Sequence, residues 1–143
     1  MFEKGRLLKF SPFHFKNGAF PKPKYYLVLG VYQDEIIIAS LPTSKDHIPA
    51  NLSQSYGCIN DYERNVNAFV FKEKELVTSN FSFPRRTYVY AEQVDEYSLD
   101  YLKDMDSVIE DLGLLDNKIF ESLKQCLTES TMLKRRFRKM LTT

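Results

Sequence analysis

The chain has 143 residues, 20 Lys and Arg against 19 Asp and Glu, a net charge of +1, and a hydrophobic fraction of 43% that includes 11 Phe and 9 Tyr. This length sets one domain, and the apolar content supplies a packed core. The balance excludes a fibrous or low-complexity chain and a uniformly polybasic one, and no apolar run approaches the roughly 18 residues of a membrane span.

The N-terminus is charged from Glu3 and carries no secretory signal pattern. Cys58 and Cys126 lie in different kinds of segment without metal-ligand spacing. They are expected as free thiols in a reducing cytosol, so a cytoplasmic chain without metal or cofactor is expected.

In chain order, "GRLLKF" after Gly5 predicts a short strand. "SPFHFKNGAFPKPK" reads as a loop, broken by Pro12, Asn17-Gly18, Pro21 and Pro23. "YYLVLGVYQ" and "EIIIASL" are β-rich runs joined by a hairpin at Gln33-Asp34. Residues 49–65 read as polar and irregular, and "NAFVFK" and "ELVTSNFSF" as further apolar runs. "RRTYVYAEQV" sets Thr87, Val89 and Ala91 against Tyr88, Tyr90 and Glu92, the alternation of a half-buried strand.

The period then changes. Leu99, Leu102, Met105, Ile109 and Leu112 recur at helical spacing, which predicts one helix from a Ser98 cap to a stop at Gly113. Asp116 caps a second helix through Ile119, Phe120, Leu123 and Leu127. The tail continues or restarts it, with Lys134, Arg135, Arg136, Arg138 and Lys139 and no acid. The expected class is α+β, mainly β: an antiparallel sheet or small barrel over about 5–95, with helices gathered over about 98–141.

If the two β-runs pair, Lys24 enters the first and Thr43 leaves the second at the same end of the hairpin. A cation beside the hydroxyls of Thr43 and Ser44 suits a phosphate, since both donate to its non-bridging oxygens. His47 follows in the same loop, within "SLPTSKDHIP". Phe13, His14 and Phe15, with Lys22 nearby, interleave rings and cations as single-stranded RNA binders do. Arg85 and Arg86, at the entry to the late strand, are expected as substrate contacts or, like Lys22, as alternatives to Lys24 for the cation role.

The order of a basic residue, an apolar strand and a second strand ending in Thr43 resembles the PemK/MazF family of toxin–antitoxin ribonucleases. The late strand ending in Glu92-Gln93-Val94, and Gly113-Leu114-Leu115, are similar to that family's later motifs. The likeness spans about residues 5–128. The family's arginine position falls on Lys24, with Tyr25 where proline is usual. The resemblance implies a small SH3-like barrel of the CcdB/MazF plasmid-maintenance-toxin type, a homodimer, and an antitoxin partner whose disordered segment folds on binding. It also implies metal-independent cleavage of single-stranded RNA through 2′-hydroxyl attack, with Lys24 at the family's arginine position, Thr43 at its hydroxyl position and Ser44 beside it; the loop position of His47 separately makes it a candidate to help Thr43. Two other readings stay open: a non-catalytic RNA- or protein-binding module on the same barrel, and a ribonuclease using His14 and His47 as acid and base.

Overall fold

A computed structural model describes residues 1–52 and 55–142. Its strands are β1 (Arg6–Phe13), β2 (Lys22–Tyr32), β3 (Ile36–Ser40), β4 (Gly57–Asp61), β5 (Val66–Phe71), β6 (Thr87–Tyr90), β7 (Asp95–Ser98) and β8 (Val108–Leu114). Helix α1 (Leu99–Asp104) lies between the last two strands, and α2 (Asn117–Thr128) and α3 (Arg135–Thr142) close the chain. The strands form two antiparallel sheets, one ordered β7-β3-β2-β1-β8 and the other β4-β5-β6. The protein is therefore α+β, mainly β, as expected.

The five-stranded sheet is apolar on both faces, which explains its near-continuous hydrophobic runs. Successive strand residues point to opposite faces. Leu7, Leu27, Leu29 and Ile38 accordingly enter one core, shared with Phe69, Phe71 and Val89 of the other sheet and with Phe120, Leu123 and Leu127 of α2. Their neighbours Leu8, Tyr26, Val28, Ile37 and Ala39 enter a second core with Phe10, Phe13, Tyr97 and Leu102. A third, smaller cluster of Ile48, Ile59, Ala68, Val70, Tyr88 and Tyr90 belongs to the three-stranded sheet.

The β2–β3 hairpin turns at Gln33 and Asp34, both with positive φ (53° and 57°), the geometry of a two-residue turn that follows strand twist. Asp116 caps α2 by accepting from the Lys118 and Ile119 amides. The tail restarts as α3, whose Phe137 and Leu141 join the main core. Gly30 lets α3 approach, because a Cβ there would lie 3.0 Å from the Leu141 side chain.

Four expectations are corrected. The single helix of 98–113 stops at Asp104, and Val108–Leu114 returns as β8 to pair with β1. The strands thus run well past residue 95, and the helical region of 98–141 is interrupted. Met105 is already extended, and the β-branched pair Val108-Ile109 suits a strand better than a third helical turn. The stretch 49–65 holds a 3-10 turn at Ala50–Leu52 and all of β4, with Ser53 and Gln54 outside the described residues. All four residues of β6 are buried, because Tyr88 and Tyr90 have their own cluster to enter. Finally, Cys58 and Cys126 are not free thiols but a disulfide between β4 and α2. The inference of a reducing compartment from unpaired thiols therefore loses its basis. No helix among the described residues is long and apolar enough to cross a membrane.

Candidate functional site

Lys22 and Lys24 lie two residues apart in β2, so both side chains leave the same face of the strand. Beyond β3 the chain crosses to the three-stranded sheet. Thr43 forms an isolated bridge to Tyr88, its amide donating to the Tyr88 carbonyl (3.0 Å) and its carbonyl accepting from the Tyr88 amide (2.7 Å). The loop is then pinned twice by one side chain. The Tyr90 hydroxyl donates to the Lys45 carbonyl (2.7 Å) and accepts from the His47 amide (2.9 Å). Ile48, buried in the third cluster, anchors the far end.

These two segments face each other across a cleft of about 620 Å³. Lys22, Lys24, Thr43 and His47 line it, together with Phe15 and Phe20. Lys45 and Lys134 add positive charge, and Glu92 and Asp95 stand on the wall behind the end of β6. The pairing of β2 with β3 thus brings Lys24 and Thr43 to one end, as the hairpin reading required.

Lys24 is half-buried, and its pKa is lowered to about 8, first by burial and then by the charges of Lys22 and Lys45. Desolvation and like charge both disfavour the ammonium form. The Thr43 hydroxyl accepts from the Lys45 amide at 3.2 Å, which leaves its own proton to donate into the cleft. Burial pushes the Tyr90 hydroxyl up to about 12, so it remains a neutral clamp.

Other expected residues are placed elsewhere. Phe13 is fully buried in the second core, edge-to-face against Phe10 and Phe15, and offers no ring for stacking. The exposed ring of the cleft is Phe20, with 89% of its surface accessible. His14 lines a separate pocket with Tyr101 and Met105, and its ring donates to the Asp106 carbonyl at 3.0 Å. The two histidines therefore share no cleft. Arg86 donates to the Ser55 carbonyl (2.5 Å) and lies over the Tyr56 ring at 4.6 Å. It braces the loop before β4, and neither it nor Arg85 lines the cleft. Ser44 is exposed in the same loop as Thr43 but is not part of the cleft wall.

Sequence reasoning missed Lys45, Lys134 and Tyr90. Lys45 sat beside Thr43 and was legible by proximity. Lys134 is 91 positions from Thr43, and no local pattern links the two. Among the described residues no group of three or more His, Cys, Asp or Glu side chains is arranged to hold a metal ion. No family model matches this chain, and no curated protein matches it.

Proposed function

We propose that the protein is a metal-independent endoribonuclease acting on single-stranded RNA at the Lys24–Thr43 cleft. The observation that carries this reading is the meeting of a half-buried lysine, poised near neutral pKa, with a hydroxyl whose proton is free, in one basic cleft. The 2′-oxygen of the substrate attacks the adjacent phosphorus, and the bond to the 5′-oxygen breaks. A 2′,3′-cyclic phosphate and a free 5′-hydroxyl result. Thr43 donates to a non-bridging oxygen as negative charge develops there. Lys24 neutralises that charge and passes a proton to the departing 5′-oxygen. His47, in the same cleft, takes the proton of the 2′-hydroxyl.

A lysine in the place of the family's arginine fits this chemistry. A guanidinium gives planar two-point recognition but does not release its proton in the working pH range. An ammonium lowered to about 8 forgoes the planar grip and gains the role of acid. The wider reading follows the PemK/MazF resemblance. The two sheets then correspond to a small SH3-like barrel of the CcdB/MazF type, the working form is a homodimer in the cytoplasm, and an antitoxin segment folds over the cleft.

The test is incubation of purified protein with a long RNA in excess EDTA, followed by end mapping. Cyclic-phosphate ends that disappear with Lys24→Ala and Thr43→Ala are expected. Tight RNA binding with no cleavage under any of these conditions would replace the enzyme with a non-catalytic binding module.

A further inference from the structure

The basic tail does not trail away from the cleft. Lys134 lines the cleft itself, and the next residue, Arg135, lines a neighbouring groove of about 690 Å³ with Tyr32, Arg136, Lys139 and Met140. Asp95 faces the cleft, while Glu96 one residue on is paired with Arg136 of α3. The two depressions are therefore linked through neighbouring residues, Lys134 and Arg135 on one side and Asp95 and Glu96 on the other.

The cations of the tail are not equivalent. Arg138 is occupied in closing the α2–α3 connection, donating to the carbonyls of Thr128 (3.0 Å) and Ser130. Arg136 is held by Glu96. Arg135 and Lys139 are exposed and make no ion pair among the described residues. They are four apart on a helix, so they share a face and lie about 6 Å apart along the axis. That separation is comparable with neighbouring phosphates on an extended strand. Tyr32, at the end of β2, is 42% exposed and offers a ring in the same groove. Cations that track phosphates beside an aromatic face are what a single strand needs from a protein surface.

We infer that α3 carries a second nucleic-acid subsite: a single strand leaving the Lys24–Thr43 cleft passes Lys134, sets its phosphates on Arg135 and Lys139, and stacks a base on Tyr32. This rests on the single-stranded RNA reading of the cleft and extends it to a longer footprint. Continuity through Lys134 favours RNA over an acidic protein segment as the occupant.

The test uses 2′-O-methyl oligouridylates of five and fifteen residues, which bind without being cleaved, measured by fluorescence anisotropy. The longer probe is expected to bind at least about tenfold more tightly, because added stacking and phosphate contacts each contribute. The double variant Arg135→Gln, Lys139→Gln is expected to erase that advantage. It also lowers the slope of log K against log salt by about 1.4, at roughly 0.7 for each phosphate contact on a single strand. Tyr32→Ala reduces the advantage without changing the slope, and five-residue binding is unchanged in all these variants. A bound five-residue probe whose longer homologue gains nothing overturns the α3 path alone. No binding of either probe, with no cyclic-phosphate ends on cleavable RNA, overturns the ribonuclease reading and this one with it. A decaglutamate peptide that binds wild type but not the double variant, with no RNA length advantage, assigns the groove to a protein partner instead.

Discussion

Lys24 is the residue on which structure and chemistry conflict. Its burial lowers the pKa to about 8, so the folded protein holds this proton more weakly than the unfolded chain, whose lysine titrates at its ordinary value of 10.5. Between those values the unfolded state binds the extra proton, and stability rises with pH. The buried ammonium therefore costs stability in full below about 8, and the cost fades as pH rises to about 10.5, where the side chain is neutral in both states. Lys24→Met is therefore expected to raise the melting temperature at pH 7, with the difference shrinking between pH 8 and 10.5 in a calorimetric series. Under the proposed mechanism the same variant is expected to cleave no RNA. In catalysis the protonated form is the acid, so kcat/KM of the wild type is expected to fall above pH about 8, the range set by the free protein. Lys24→Arg keeps the charge and removes that alkaline limb, at a rate lower by about 10²- to 10⁴-fold for loss of the acid. An alkaline limb that survives in Lys24→Arg would assign the titration to another group.

At the scale of elements, the site depends on a loop that has no regular structure of its own. Thr43, Lys45 and His47 are held because their backbone groups are satisfied by β6, through the Thr43–Tyr88 bridge and the Tyr90 hydroxyl. Tyr90→Phe keeps the ring and leaves the Lys45 carbonyl and His47 amide without that partner, at a cost of about 1–3 kcal/mol. The expected readout is a fall in kcat for RNA cleavage larger than the change in oligonucleotide affinity, because the loop orients Thr43 and His47 while Lys22, Lys24 and Lys134 line the cleft from other segments. The disulfide is the other element-level tie, joining β4 to α2 across a sequence separation of 68. Closing so long a loop constrains the unfolded chain, so Cys58→Ser, Cys126→Ser is expected to lower stability by about 2–4 kcal/mol in urea titration.

For the whole molecule, α3 is both a surface and a part of the core. Phe137 and Leu141 are 2% and 5% exposed and pack with residues of both sheets. Phe137→Ala is expected to cost about 3–5 kcal/mol, which a urea titration measures. A chain ended before α3 is expected to unfold more readily, and not merely to bind RNA less tightly. Charge is distributed in the same coupled way. The net charge is only +1, yet Lys22, Lys24, Lys45 and Lys134 converge on one cleft from β2, the Thr43 loop and the approach to α3. Composition averages over the surface and so conceals a local positive field of this kind.

Local information determined much of this protein. The β2–β3 hairpin, the Asp116 cap, the apolar runs and the meeting of Lys24 with Thr43 follow from alternation, turn chemistry and the antiparallel geometry of neighbouring strands. Other features depended on partners distant in sequence. The helical spacing from Leu99 to Leu112 was equally compatible with a short helix and a strand, and the free edge of β1 selected the strand. Phe13 and Phe20 lie in the same stretch, and only the second core decided that Phe13 is buried and Phe20 is exposed. Cys58 and Cys126 paired because the hydrophobic face of α2 settled against β4 and β5. Lys134 reached the cleft because Phe137 and Leu141 drew α3 down onto Gly30. In each case local preference was nearly balanced or silent, and the burial of apolar surface between distant segments made the choice.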